Sequence, residues 1–311
     1  MKPDRSRSLR EQFSDYINDL QFEICAVLEK EDGVKRVRAD RWERDGGGGG
    51  NTKVMEKGKL FEKGGVNTSV VYGELPEEVK KHFRVEDGYF WAGGISLVLH
   101  PESPMIPTVH ANFRYFELFK DESLENSVDR WFGGGADLSP YYLFEEDAAH
   151  FHKVFKNTCD KHDSRFYPAF KKECDEYFYN AHREEARGVG GLFFDYLREG
   201  NFEKSALDWY DFVTDCGNSF LESYLQIVQK RRSEPWNEKH RYWQEIRRGR
   251  YVEFNLVHDR GTLFGLKTKG RIESIFMSLP PRVRWDYDFE PEKNSREAEL
   301  LTVLKNPREW V

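Results

Sequence analysis

Val109-His-Ala-Asn-Phe-Arg-Tyr115 is the stretch on which the fold turns. Taken as a β-strand, it sends alternate side chains to opposite faces. Val109, Ala111, Phe113 and Tyr115 then form an apolar face, and His110, Asn112 and Arg114 share the other. A solvated outer face more often carries Lys, Glu and Thr, so this trio in register suits an anion. Upstream, Phe90–Leu99 has the composition of a second strand, on which Ser96 and His100 share a parity. The Pro-punctuated run Pro101 to Pro107 joins the two. If they pair, Ser96, His100, His110, Asn112 and Arg114 line one surface.

Working outward, Phe13, Ile17, Leu20, Ile24 and Leu28 recur at helical spacing and predict a helix over Ser8–Glu31. Gly46 to Gly50 is followed by Asn51-Thr52-Lys53 rather than Gly-Lys-Ser/Thr, which disfavours a phosphate loop and favours a mobile hinge or lid. Short strands are expected near Lys53–Glu56 and Val66–Gly73. Trp131-Phe-Gly-Gly-Gly-Ala-Asp-Leu-Ser-Pro140 reads as a glycine-rich loop. Helices are predicted at Glu145–Asp160, Arg165–Arg187 and Lys204–Lys230, the second stopped by Gly188-Val-Gly-Gly191. Lys230 to Arg250 is strongly basic, and most of its cations read as solvated surface. Tyr251–Val257, Thr262–Thr268 and Ile272–Leu279 are rich in β-formers and read as an antiparallel meander with turns at Asp259-Arg-Gly261 and Lys269-Gly270. The expectation is one α+β domain over residues 1–311, a largely antiparallel sheet covered by helices.

Composition narrows the function. The 311 residues carry a net charge of −7, against nonspecific nucleic-acid binding, so an anionic ligand would need a local basic patch. Aromatic residues make up 15 %, which suits either a thick core or a large flat ligand. No apolar run approaches the roughly 20 residues of a membrane span. Met1 to Arg10 lacks the apolar core of a secretory signal, and the expected location is the cytosol. Cys25, Cys159, Cys174 and Cys216 are widely spaced and fall in apolar stripes, as reduced core thiols do.

Histidines leave a choice open. His150 and His152 diverge on a helix, with His152 the inward one, and His182 lies at the edge of another apolar stripe. His100, His110, His152 and His182 can either meet at a divalent metal or serve as separate core histidines. Asp259-Arg260-Gly261 and Lys269-Gly270-Arg271 can be ordinary turns or a carboxylate beside fixed cations.

Several of these runs resemble one family. Trp91 to Pro101, Pro107 to Arg114, Trp131 to Pro140 and His182 to Asp195 are similar to the oxygen-dependent coproporphyrinogen III oxidases. So are Arg248 to Asn255, Asp259 to Gly265, Glu273 to Pro281 and Arg284 to Tyr287, and the likeness covers nearly the whole chain. The resemblance implies a large antiparallel sheet with helices on both faces and a homodimer with its interface around Tyr251–Asp286. It implies substrate binding by Ser96, Asn112, Arg114 and the turn Lys269-Gly270-Arg271. His110 is implied as proton donor, and Asp259 with Arg260 as the grip on the porphyrinogen centre and a propionate. His100, His110, His152 and His182 are the family's proposed metal-contacting histidines. Lys269 departs from the family's bacterial Gly-Gly-Arg pattern, and His258 stands where relatives are often aromatic.

The implied chemistry is the oxidative decarboxylation of two propionates of coproporphyrinogen III, in porphyrin biosynthesis. Such a ring offers inward N–H donors and outward carboxylates. A carboxylate such as Asp259 accepts the first, and forked guanidinium groups hold the second. Dioxygen is the implied co-substrate, no organic cofactor motif is present, and a divalent metal is not required by this scheme. Two rivals compete: a histidine-bound metal hydrolase or oxygenase, and a non-enzymatic porphyrin carrier.

Overall fold

A computed structural model describes residues 7–34, 36–77, 80–81, 86–267 and 270–311. Helix α1, Leu9–Asp32, begins at a capping box in which Ser8 and Glu11 bond reciprocally, and it ends at Gly33 in the left-handed region. Six strands follow: β1 Arg38–Glu43, β2 Gly48–Glu56, β3 Phe61–Glu74, β4 Tyr89–Pro101, β5 Thr108–Phe119 and β6 Ser127–Ser139. Helices α2, Glu145–His162, and α3, Phe166–Tyr177, lead through a short ladder of β7, Tyr179–Asn180, and β8, Glu185–Ala186, into β9, Gly190–Leu197. Then come α4 Ala206–Asn218, α5 Phe220–Arg231, α6 Glu238–Val257, α7 Arg260–Lys267, α8 Ile272–Phe276 and α9 Arg296–Lys305. Strands β1 to β6 and β9 pair in that order in one antiparallel sheet.

The alternation in β5 holds. Val109, Ala111, Phe113 and Tyr115 are buried on one face, under α1 and α4. The Phe13 ring of α1 meets Tyr115 at 6.0 Å and Phe132 at 5.7 Å. Gln21, buried on the same helix, donates to the backbone of Asn51 and Val66, so one side chain satisfies two sheet carbonyls. Helix α6 stands over the opposite face, with Tyr251 edge-on to His100 at 5.3 Å and Phe254 on Phe178 at 5.5 Å.

Four expectations are corrected. The run Trp131–Ser139 is strand β6, not a loop. Its glycines are there because neighbours crowd it: a Cβ at Gly135 would lie 2.2 Å from the Leu192 carbonyl oxygen. Gly48 to Gly50 likewise belong to β2, held in ladder register with β1 and β3, so the hinge or lid reading is replaced. The expected meander is helical. Tyr251–Val257 ends the long helix α6, and Asp259 sits between α6 and α7 rather than at a hairpin. Finally, most cations of the basic segment are not solvated surface: Arg231, Arg241, Arg247 and Arg248 are buried and Arg250 half-buried, while Lys230, Arg232 and Lys239 are exposed. Arg248 and Arg241 share Glu62, and Arg247 pairs with Glu185 at 2.7 Å.

Two long helices also break earlier than predicted. The Arg165–Arg187 span stops at Tyr177, and the Lys204–Lys230 span divides at Ser219. The four cysteines are free and buried, as read.

Candidate active site

Ladder pairing aligns the polar face of β5 with its neighbours. Asp40, Thr52, Asn67, Ser96, Asn112, Gly135 and Phe193 are successive partners from β1 to β9. At strand spacing, the part from Asn67 to Phe193 spans roughly 20 Å, broad enough for a macrocycle. The adjoining rows carry Gly65, Val98, His110, Asp137 and Gly191 on one side, and Ser69, Gly94, Arg114 and Gly133 on the other. Glycine removes bulk from this face, so its floor is mostly polar tips and backbone. The Ser96 hydroxyl has no hydrogen-bond partner among the described residues, while Asn112 accepts from Arg114 at 3.0 Å.

His110 and Asp137 form one unit. The His110 Nδ1 lies 2.8 Å from Asp137, and a carboxylate only accepts, so Nδ1 carries the proton. Arg187 donates to both oxygens of the same carboxylate, at 2.7 and 3.2 Å, and to Asn255 of α6. Burial works to raise the Asp137 pKa, but the Arg187 charge and the His110 bond hold it below the usual carboxylate range.

Asp259 closes the β9 end of the row. Its Oδ2 accepts the Thr262 backbone N–H at 2.7 Å, and its Oδ1 accepts the Tyr177 hydroxyl at 2.8 Å. Tyr177 stacks flat on Phe193, centroids 4.0 Å apart, and Phe193 is the last member of the Ser96–Asn112 row. Asp259 therefore stands two rings above the wall rather than remote from it. Burial would raise its pKa, yet the Thr262 and Tyr177 bonds and the Arg187 charge keep it below the ordinary value. Arg260 lies over the same two rings, 4.7 Å from Tyr177 and 5.6 Å from Phe193.

At the far end, Arg271 pairs with Asp40 at 2.6 Å, and Ser274 meets the Thr52 hydroxyl at 2.7 Å. The chain from Asp259 to Ser274 is thus anchored at both ends of the polar row, with Ser96, Asn112 and Arg114 between the anchors. Gly270 donates to the Gly265 carbonyl at 2.7 Å. Lys269 lies outside the described residues.

The four histidines do not share a site. His100 is fully buried between Thr108 and the Ser278 carbonyl. His152 is bonded to Tyr167 and the Val189 carbonyl, and burial pushes its pKa down to about 4. His182 bonds His258 and Glu253 at 2.9 Å each. Among the described residues no three His, Cys, Asp or Glu side chains are grouped as a metal would need, so the set does not fit one ion.

Parity and residue type located Ser96, Asn112, Arg114 and His110. They missed Asp137, Arg187, Tyr177 and Phe193. Asp137 was legible only by extending the alternation through the Gly-Gly-Gly-Ala run; the others act through partners distant in sequence.

This geometry presents one broad polar sheet face with Arg114 on it and Arg260 and Arg271 at its two ends. The chain belongs to the coproporphyrinogen III oxidase family, whose model matches residues 12–310. It is 48 % identical over 315 residues to a tobacco (Nicotiana tabacum) relative named oxygen-dependent coproporphyrinogen-III oxidase, chloroplastic, covering 98 % of this chain and 78 % of that one. A relative from Coxiella burnetii, named oxygen-dependent coproporphyrinogen-III oxidase, is 49 % identical over 313 residues, covering 100 % of this chain and 98 % of its own. One from Drosophila melanogaster with that same name is 46 % identical over 314 residues, covering 98 % and 79 %. No described helix is long and apolar enough to cross a membrane.

Proposed function

We propose that this chain oxidises coproporphyrinogen III with dioxygen, converting two propionates to vinyl groups for haem biosynthesis, as one domain spanning residues 1–311. Each conversion takes a propionate, one O2 and one proton to a vinyl group, CO2 and hydrogen peroxide. The ring lies along the Ser96–Asn112 row. Asp259 accepts its pyrrole N–H groups, and Arg260, Arg114 and Arg271 hold propionates, with Lys269 and Gly270 as further substrate-binding residues. His110, oriented by Asp137, handles protons at the opposite margin. Holding the ring in one orientation selects which two of its four propionates react. Dioxygen takes electrons from the electron-rich pyrrole itself, so no organic cofactor enters the scheme, and no step is routed through a metal.

What supports this reading most is the juxtaposition of Asp259, through Tyr177 and Phe193, with the His110–Asn112–Arg114 wall. The test is turnover of coproporphyrinogen III by purified, chelator-treated protein with and without oxygen. Carbon dioxide and protoporphyrinogen should form only aerobically. Asp259→Ala should abolish turnover while the far-UV spectrum and melting temperature hold; near-normal turnover would remove its role. A porphyrin carrier would bind the ligand and release no carbon dioxide.

The proposal includes a homodimer and a cytosolic location. Among the described residues, half of the exposed large apolar side chains, seven of fourteen, fall between Leu256 and Tyr287. That clustering supports the expected interface around Tyr251–Asp286. For the location, the Coxiella relative's name carries no organelle, unlike the tobacco one.

A further inference from the structure

Arg114 is already bonded to a carboxylate of the protein's own. Its Nη2 lies 2.9 Å from Asp195 Oδ2, while its Nη1 donates to Asn112 at 3.0 Å. Arg114 is on β5 and Asp195 on β9, with β6 between them. They meet only because position 133 is glycine: a Cβ there would lie 2.7 Å from Asp195 Oδ1 and 2.8 Å from Arg114 Nε.

The backbone around Asp195 is built to aim it. The β6–β9 register shifts between Phe132 and Gly134, and an irregularity of this kind redirects side chains. Tyr196 has φ +52°, a left-handed conformation that a bulky residue adopts only where its surroundings impose it. The Tyr196 N–H donates to Asp195 Oδ1 at 2.9 Å, which fixes the carboxylate from its own neighbour. Asp195 also lines an open cavity of about 430 Å³ with Glu173, Phe170 and Leu197, which leaves space beside its carboxylate when a ligand takes the guanidinium. Burial, and then the Asp195 charge, push the Glu173 pKa up to about 7, which limits the second negative charge beside Asp195 at neutral pH.

We propose that Asp195 is an internal counter-ion that competes with a ligand carboxylate for Arg114, so that this subsite ranks ligands by the carboxylate they present to it. The inference rests on the reading that Arg114 holds a substrate carboxylate. A ligand bearing a propionate at that position displaces Asp195. A ligand bearing a vinyl group there leaves the internal pair intact and is held less firmly, which favours departure of the decarboxylated ring. The competition has a directional signature: a residue that merely supports the site weakens binding when altered, whereas a competitor strengthens it.

The probe is coproporphyrin III, the oxidised, unreactive tetracarboxylate form of the ring, titrated by fluorescence against the full-length protein. Asp195→Asn should tighten its binding by about three- to tenfold. Arg114→Gln should weaken it, and the double variant should match Arg114→Gln alone. Equal or weaker binding by Asp195→Asn at an unchanged melting temperature overturns the proposal; if that variant does not fold, Asp195→Ser is read in the same way. Unchanged affinity in Arg114→Gln instead overturns the underlying assignment of Arg114.

Discussion

Asp137 faces a histidine from one side and a buried arginine from the other, and its charge is fixed by both. Arg187 is further enclosed by the rings of Phe178, Tyr251 and Phe254, at 4.0, 4.7 and 4.8 Å. Breaking a buried pair strands the remaining charge, so Asp137→Asn should cost about 3 kcal/mol in urea unfolding. A loss below about 1 kcal/mol would show the pair to be solvated. Glu253 gives a pH-dependent case. It gathers Arg183, Arg250, His182 and the Trp285 N–H. Burial opposes the charged form, but these partners lower its pKa to about 2. A carboxyl lowered on folding stabilises fully above its ordinary value near 4.5 and loses that contribution as pH falls toward 2. Glu253→Gln should therefore destabilise the protein by roughly 2 kcal/mol at pH 7, and the gap from wild type should close between about pH 4.5 and 2. A gap constant across that window would refute the linkage. The residues legible in advance were those whose neighbours share a strand. Arg187 was not, because its partners come from other elements, and of the partners of Glu253 only Arg250 shares its helix.

Among the elements, β5 was readable because between Val109 and Phe113 apolar and polar residues alternate without a break, and Arg114 and Tyr115 continue the same parity. Strand β6 was not, since Gly133, Gly134 and Gly135 look like a loop to any rule based on propensity. In place, the three serve different ends. A Cβ at Gly135 or Gly134 would strike backbone carbonyl oxygens at 2.2 and 2.5 Å, whereas one at Gly133 would meet the ends of the Asp195 and Arg114 side chains. Backbone cannot yield, and flexible tips can. Gly135→Ala should therefore fail to give soluble folded protein, while Gly133→Ala should fold with a melting temperature within a few degrees of wild type and a KM raised about fivefold or more, because its methyl displaces Arg114. Equal behaviour of the two variants would mean that the distinction is wrong. Helix α6 was misread for a different reason. Tyr251, Val252 and Phe254 are good strand formers, but their burial continues a helical pattern from Trp243 and Ile246, and tertiary packing outweighs local preference.

At the scale of the whole molecule, the outer faces of α6 to α8 and the segment after them pose a question of solubility. Val257, Ile272 and Trp285 are each more than half exposed, and the Tyr287 side chain is fully so. The other seven exposed large apolar side chains among the described residues are scattered from Phe22 to Val311 rather than grouped along the chain. If the proposed homodimer covers this cluster, burying it removes apolar area from water at about 25 cal/mol per Å². The cluster also adjoins Asp259, so pairing would brace the segment that carries Asp259, Arg260 and Arg271. Two measurements follow from this. Sedimentation should give about twice 36.8 kDa at micromolar concentration, with a melting temperature that rises with protein concentration, as mass action requires. Val257→Asp should shift the species to 36.8 kDa and lower kcat/KM about tenfold, without altering the far-UV spectrum. A wild-type protein that sediments as a single chain at every concentration, with full activity, would detach the site from any partner copy and leave the Leu256–Tyr287 surface in need of another occupant.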